Sequence, residues 1–351
     1  MSIPSLQVGY GIVHGNKKLV RFDNLPVPEP QAGEVLLKIE AAGLCRSDFH
    51  ILIVQDPRLP KKMVMGHEVC GSIAKVGPSL KDNASYSIGK KFALVIADAC
   101  GTCSNCRKGV DNLCSGNQDK AYGISQDGGF QQFLLVKNPR SLVEIPENVS
   151  FAEAAAASDA ILTPFHAIMK VKHILAPTTK VLVFGAGGLG LNAVQILANF
   201  GCHIVVVDRK PGNEEIAKKF GAAEFYTNAD EIAHDPESFQ VCLDFVGNQE
   251  TSDGCVEYIA PAGKILSVGL GKMRLNIPNY DLARREVEYI FNFGGTSEDQ
   301  AQVLQWISLG KLKPLVTTTS MDQLPAYFEK MAKGEIVGRV AFVPNERPSK
   351  L

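Results

Sequence analysis

The chain has 351 residues, and at roughly 150 residues per domain its 45% hydrophobic content can supply two domains with separate cores. Its 36 Lys and Arg residues against 37 Asp and Glu residues leave a formal charge of −1, which argues against nucleic acid or membrane partners recruited by a general positive field. The apolar runs fall far short of the roughly 20 residues that span a bilayer, and the first residues lack a signal-peptide pattern, so we expect a cytoplasmic protein.

The elements change character near residue 160. Before it, short alternating runs such as 34–40 and 129–136 predict strands of an irregular, mostly antiparallel region. After it, apolar strands alternate with helices at 189–200, 213–220 and 250–259, and the strands are predicted at 181–184, 203–207, 224–226, 241–245 and 264–268. This alternation is typical of a doubly wound parallel α/β sheet. Two more helices, at 298–309 and 324–333, precede a last strand at 339–343.

The first residues with metal-binding chemistry are Cys45 and His67. A thiolate and an imidazole are good zinc ligands, and a catalytic zinc needs three protein ligands and one exchangeable position. Taken singly, each residue is more simply a core residue, so the sequence pattern alone does not establish a site.

Four cysteines lie close together farther along the chain, at Cys100, Cys103, Cys106 and Cys114. This spacing lets one loop, at about 98–116, surround a tetrahedral metal ion, either a structural zinc or an iron–sulfur cluster. The total of nine cysteines is odd, which argues against a disulfide framework and for a reducing compartment. A zinc ribbon that binds nucleic acid or a partner is a further alternative, although the loop carries few basic residues.

A glycine-rich turn follows the predicted strand 181–184 and carries the G-x-G-x-x-G pattern at Gly185, Gly187 and Gly190. These glycines permit a tight turn, close approach of a pyrophosphate and close helix–sheet packing. Asp208 ends the next strand, where a carboxylate accepts hydrogen bonds from the ribose hydroxyls and repels a 2′-phosphate. The pattern therefore predicts a dinucleotide site that favours NAD(H), although two basic residues follow Asp208.

The order of these motifs resembles the zinc-containing medium-chain alcohol dehydrogenases over nearly the whole chain, about residues 7 to 343. The resemblance rests on Gly-Leu-Cys-Arg-Ser-Asp at 43–48, Gly-His-Glu at 66–68, the four cysteines, the glycine-rich turn and Gly-Arg-Val at 338–340. Within that family, 158–166 and 126–133 resemble yeast carbonyl reductases. The resemblance implies a GroES-like, mostly β catalytic domain at 1–160 and 294–351, and a Rossmann NAD-binding domain at 161–293. It also implies a homodimer or homotetramer, for which 287–293 is a candidate edge strand.

The resemblance further implies two zinc ions per chain, one catalytic and one structural. The catalytic ligands carry over as Cys45, His67 and Asp159, where Asp159 replaces the cysteine found in many members. A thiolate and a carboxylate together still neutralise Zn²⁺. Glu68 is then a transient fourth ligand, and Asp48 orients the imidazole of His67.

The remaining roles also come from the resemblance. Ser47, the cofactor ribose and His50 form a proton relay to solvent. Thr163 lies against the nicotinamide, and two arginines bind the pyrophosphate. The full set of expected cofactor contacts is Arg46, Thr163, Gly185, Gly187, Gly188, Leu189, Gly190, Asp208, Val246, Val268, Gly269 and Arg339.

The expected reaction is hydride transfer between NAD(H) and a small-molecule secondary alcohol or ketone, with aldehydes also accepted. A polyol, primary alcohol or aldehyde dehydrogenase of the same superfamily is the nearest alternative. Specificity would reside in loops 49–59, 117–126 and 269–280, and the single tryptophan, Trp306, lies in a predicted helix outside them.

Overall fold

The computed structural model describes residues 3–54, 56–117, 120–233 and 235–345, so parts of the expected substrate loops 49–59 and 117–126 lie outside the described residues. Its strands are β1 (Leu6–Val13), β2 (Asn16–Pro26), β3 (Val35–Gly43), β4 (Lys62–Val64), β5 (Glu68–Val76), β6 (Lys91–Leu94), β7 (Phe133–Val136), β8 (Leu142–Glu144), β9 (Lys180–Phe184), β10 (His203–Val207), β11 (Glu224–Tyr226), β12 (Phe239–Asp244), β13 (Ile259–Ser267), β14 (Glu288–Phe291), β15 (Val316–Ser320) and β16 (Arg339–Val343).

The α-helices are α1 (Arg46–Val54), α2 (Ser104–Arg107), α3 (Phe151–Ala157), α4 (Leu162–Met169), α5 (Gly188–Ala198), α6 (Glu214–Lys219), α7 (Gln249–Tyr258), α8 (Asn279–Arg284), α9 (Ser297–Ser308) and α10 (Leu324–Ala332). Short 3-10 turns occur between several of these elements. Among the described residues, no helix has both the length and the apolar character needed to cross a membrane.

The chain divides into two compact units. The first unit holds the described residues up to Ala160, Thr296–Leu309 and the described residues from Pro314 onward, and the second unit holds Ile161–Gly295 and Gly310–Lys313. The short segment 310–313, which the resemblance assigned to the catalytic domain, thus groups with the other unit. The backbone N–H of Lys313 donates to Gln195 in α5 at 2.8 Å, which explains that grouping.

The first unit is mainly antiparallel β structure. One sheet has the order β15-β16-β3-β5-β6-β8, with β7 also paired to β3, and a smaller one has the order β2-β1-β4. Apolar side chains of β3 and β5, such as Leu37, Ile39 and Ile73, are essentially fully buried and form the core between these layers. The long pairing of β3 with β5 is the feature that positions the site described below.

The second unit is a parallel sheet of order β11-β10-β9-β12-β13-β14. Its central strand β9 carries Val181, Leu182, Val183 and Phe184, all at most 2% exposed. A strand with side chains buried on both of its faces needs other elements packed on both faces of the sheet. Helices between the strands provide this packing, which is why strands and helices alternate in this part of the chain. A mainly antiparallel β unit and a parallel sheet with intervening helices agree with the expected fold class.

Candidate metal and cofactor sites

Three segments of the first unit bring four possible metal ligands together. Gly43 at the end of β3 pairs with Glu68 at the start of β5, so the residues just beyond these positions, Cys45 and His67, meet at one end of the strand pair. Asp159 joins them from the turn after α3. The candidate ligand atoms lie within 4.8 Å of one another, and all four residues of this ligand cluster are buried: Cys45, His67, Glu68 and Asp159.

The carboxylate of Asp159 lies against both other expected ligands. Its Oδ2 is 3.3 Å from Cys45 Sγ and 3.6 Å from His67 Nε2. Gly43 makes the approach of Glu68 possible, because a Cβ at that position would lie 2.0 Å from Glu68 Oε2. The residues that the resemblance selected are therefore brought together.

Asp48 fixes the imidazole of His67. Its Oδ1 is 3.1 Å from His67 Nδ1, and its Oδ2 accepts the backbone N–H of Cys45 at 2.9 Å. The Nδ1 nitrogen is thus occupied, and Nε2 faces Asp159. Burial opposes a charged imidazole, but the carboxylates of Asp48 and Asp159 outweigh it and raise the pKa of His67 well above its usual value.

Arg339 contacts this cluster as well, which the sequence did not indicate. Its guanidinium is buried, with Nη2 3.0 Å from Glu68 Oε1 and 3.6 Å from Cys45 Sγ. Burial, partly opposed by Arg339 and reinforced by Asp159, raises the pKa of Glu68 to about 8. The expected contact of Arg339 with a pyrophosphate stays a prediction.

The donor set fits a zinc ion. Cys45, Glu68 and Asp159 are three acidic groups crowded into a buried space, and burial also raises the pKa of the Cys45 thiol. A divalent cation relieves that crowding, and sulfur, imidazole nitrogen and carboxylate oxygen are the ligands that Zn²⁺ prefers. The residues present therefore match a three-ligand metal site with Glu68 close by.

The four-cysteine loop forms a second donor set. The sulfur atoms of Cys100, Cys103, Cys106 and Cys114 also lie within 4.8 Å of one another. Backbone N–H groups donate to three of these sulfurs at 3.3 to 3.5 Å. A hydrogen bond from Thr102 lowers the pKa of Cys100 to about 7. A hydrogen bond from the backbone of Cys106 lowers the pKa of Cys103 to about 5. Thiolates held in this way fit a closed, structural metal site.

Both proton-relay candidates, Ser47 and His50, lie in α1. Ser47 Oγ is 3.7 Å from Cys45 Sγ, and His50 is exposed on the same helix. Partial desolvation of the ring and the positive charge of Arg46 lower the pKa of His50, so its imidazole is neutral, and able to accept a proton, near pH 7.

In the second unit, the glycine-rich turn connects β9 to α5. Gly185 adopts φ +94°, a conformation that favours glycine, and a Cβ on Gly190 would lie 1.7 Å from the Gly185 carbonyl oxygen. The turn therefore has the tight geometry that the motif predicts, and α5 begins directly after it at Gly188.

The carboxylate of Asp208 is held beside this turn. It accepts the backbone N–H of Ala186 at 2.6 Å and that of Lys210 at 2.9 Å. Asn213, which the sequence did not single out, donates to the Ala186 carbonyl at 3.2 Å and to Asp208 at 3.4 Å. An asparagine before a helix is an ordinary cap, so nothing in the sequence marked this contact.

Of the other expected contacts, Arg46 lies in α1, Gly188 and Leu189 begin α5, and the rest lie after strand ends and in α4. A Cβ on Gly269 would lie 2.3 Å from the Val246 carbonyl carbon, so the segments after β12 and β13 approach closely. Thr163, in the first turn of α4, is buried, and its carbonyl accepts from Asn292 at 3.2 Å. Their contacts with a cofactor stay predictions.

Comparison with known proteins agrees with this arrangement. Residues 31–147 match the family model of the alcohol dehydrogenase GroES-like domain, and residues 188–308 match that of zinc-binding dehydrogenases. An alcohol dehydrogenase from Geobacillus stearothermophilus is 31% identical, with 94% of this chain and 97% of the relative covered. An NAD-dependent alcohol dehydrogenase from Sulfurisphaera tokodaii is 30% identical, with 93% and 97% covered. The structure of acetophenone reductase from Geotrichum candidum in complex with NAD is 35% identical, with a TM-score of 0.91 and 98% and 99% covered.

Proposed function

This chain belongs to the zinc-containing medium-chain alcohol dehydrogenases, and from that premise we propose that it interconverts secondary alcohols and ketones, and also reduces aldehydes. It is an oxidoreductase that acts on small molecules with NAD(H) and zinc as cofactors. The observation that carries the proposal is the buried ligand cluster. The preference for ketones is supported by the similarity to an acetophenone reductase along 98% of the chain.

Cys45, His67 and Asp159 would hold the catalytic zinc, with Glu68 as a neighbouring carboxylate. When bound there, zinc supplies Lewis-acid polarisation of the substrate oxygen. Asp48 holds Nδ1 of His67 and so presents Nε2 as the ligand atom. Arg339 neutralises Glu68 and thereby limits the repulsion among the acidic groups.

The proton released from an alcohol would leave through the side chain of Ser47. Its hydroxyl lies beside Cys45, so it is next to the ligand cluster. His50 is the exposed group that would pass the proton to solvent, and its lowered pKa keeps it a base near neutral pH.

The glycine-rich turn and Asp208 would bind NAD(H), which supplies or accepts the hydride. The two N–H bonds to Asp208 hold its carboxylate in one orientation and keep a negative charge beside the turn. That charge favours a free ribose over a 2′-phosphate.

We also propose that the chain forms a homodimer or homotetramer through β14. This strand lies at the edge of its sheet, and Phe291 and Phe293 are 63% and 64% exposed. An exposed apolar edge is unfavourable unless another chain covers it. Size-exclusion chromatography with light scattering tests this, and a strictly monomeric chain would contradict it.

The test of the reaction is NADH oxidation with matched aryl ketones, aliphatic ketones, aldehydes and ketoses. We expect kcat/KM for aryl or aliphatic ketones to equal or exceed that for aldehydes and ketoses. Faster turnover of sugars would favour the polyol alternative, and turnover of aldehydes alone would favour an aldehyde reductase. The absence of any NAD(H)-dependent activity would reopen the zinc-ribbon alternative.

A further inference from the structure

A fully buried hydroxyl connects the two segments that supply the ligand cluster. Ser158 follows α3 and directly precedes Asp159, and it is 0% exposed. Its Oγ lies 3.2 Å from the carbonyl oxygen of Val69 and 3.1 Å from that of Ala154. Val69 follows Glu68 in β5, so this hydroxyl joins the turn carrying Asp159 to the strand that begins beside His67.

A buried glutamine from α9 reaches the same hydroxyl. Nε2 of Gln300 is 3.4 Å from Ser158 Oγ, and Gln300 is 0% exposed. Its Oε1 is also buried and has no hydrogen-bond partner among the described residues. Burying an amide that is only partly hydrogen-bonded is unfavourable, so stability alone does not explain its presence.

The helix pattern makes this glutamine more unusual. The buried face of α9 consists of Gln300, Val303, Leu304 and Ile307, the i, i+3, i+4, i+7 spacing of an apolar face. Position 300 is therefore one at which leucine would fit the pattern and leave no polar atom unpaired.

The beginning of α9 is held firmly. Thr296 and Asp299 form a reciprocal capping box, and the backbone N–H of Ser297 donates to Asp111 at 3.1 Å. Asp111 lies in the four-cysteine loop, between Cys106 and Cys114. The loop thus fixes the helix end from which Gln300 extends to Ser158.

We propose that Gln300 is a positioning residue for the catalytic metal site, acting through Ser158 on the backbone that carries Asp159. This inference rests on the proposed function, because it assumes that Asp159 is a metal ligand. Gln300 touches neither metal nor substrate in this role. It holds the third ligand at the distance from Cys45 and His67 that binding requires.

The test compares Gln300→Leu with Ser158→Ala in the purified holoenzyme. Gln302→Leu is the matched control, since Gln302 is exposed on the same helix and donates to Glu298, one turn earlier on that helix, at 3.0 Å. The measurements are the rate of zinc release to a chelator and the absorption spectrum of the cobalt(II)-substituted enzyme. Neither needs turnover.

We expect zinc of the ligand cluster to be lost about tenfold faster in both variants, with zinc of the four-cysteine loop retained as in wild type. The cobalt bands of the ligand cluster should shift in both. The double variant should release zinc no faster than Ser158→Ala, because removal of the hydroxyl already removes the contact that Gln300 makes. The control should match wild type.

Wild-type zinc release and cobalt bands in Gln300→Leu would overturn the proposal. If Gln300→Leu does not fold, Gln300→Met, which also lacks a donor to Ser158, decides by the same two measurements. A wild-type chain that holds metal only in the four-cysteine loop would instead contradict the proposed function, so the two failures are distinguishable.

Discussion

Replacement of Asp159 by asparagine tests the unusual ligand directly. The change keeps the size and one oxygen of the side chain but removes its charge. In the ligand cluster the carboxylate of Asp159 lies 3.3 Å from the sulfur of Cys45. If zinc is bound by both groups, the Asp159→Asn variant would leave a dication neutralised by a single thiolate in a buried site.

The size of the effect follows from Coulomb's law. Two unit negative charges 3.3 Å apart repel by about 5 kcal/mol at an effective dielectric constant of about 20. A dication bound between them attracts the carboxylate with at least twice that energy. Removal of the carboxylate charge therefore loses about 5 kcal/mol more attraction to the zinc than it relieves in repulsion from the thiolate. Water and ligand rearrangement recover part of this, and we expect zinc affinity to fall at least about 100-fold, or about 2.7 kcal/mol.

The assay is chelator competition followed by metal analysis of the protein. Asp159→Asn should lose the zinc of the ligand cluster at chelator concentrations that wild type survives, and alcohol oxidation should be lost with it. Asp159→Cys keeps the charge and should retain the metal. Asp253→Asn, which neutralises an exposed carboxylate on α7, is the control and should behave as wild type. Wild-type zinc affinity in Asp159→Asn would refute the ligand assignment.

Three further predictions concern the other sites. Asp208→Gly should weaken NADH binding by about tenfold or more, since charge-assisted hydrogen bonds contribute about 1.5–3 kcal/mol. It should also lower the ratio of kcat/KM with NADH to kcat/KM with NADPH, and an unchanged ratio would contradict the role of Asp208. Alcohol oxidation should fall as the pH drops through the lowered pKa of His50, because protonated His50 cannot accept a proton. His50→Gln should remove that limb of the pH profile. Cys106→Ser should release the structural zinc and lower Tm by several degrees, which calorimetry measures. An unchanged zinc count would contradict the assignment of Cys106 as a ligand.

Local motifs were the most predictable part of the molecule. The strand at 203–207 has the expected bounds in β10, and the helix expected at 189–200 is α5, Gly188–Ala198. The strand expected at 129–136 is shorter, since β7 begins at Phe133. A Cβ on Gly129 would lie 2.6 Å from Val69 Cγ2, so the backbone of Gly129 packs directly against the side chain of Val69. Such packing depends on distant residues and leaves no periodic signal.

The ligand cluster was harder to predict from the sequence alone. Cys45 and His67 were plausible ligands by residue type, and only family resemblance added Asp159. The ion pair of Arg339 with Glu68 and the contact of Gln300 with Ser158 join residues far apart in the chain. A single sequence shows which positions are buried in a helix or strand, but it does not show which residues face each other across the fold.

The proposed reaction is tested most directly by the dependence of ketone reduction on the zinc bound by Cys45, His67 and Asp159. Acetophenone-dependent NADH oxidation should be followed while that zinc is removed by a chelator and then restored. Activity should fall in proportion to the loss of this zinc and return when zinc is added back. Full activity in protein that has lost this zinc would contradict the proposed reaction.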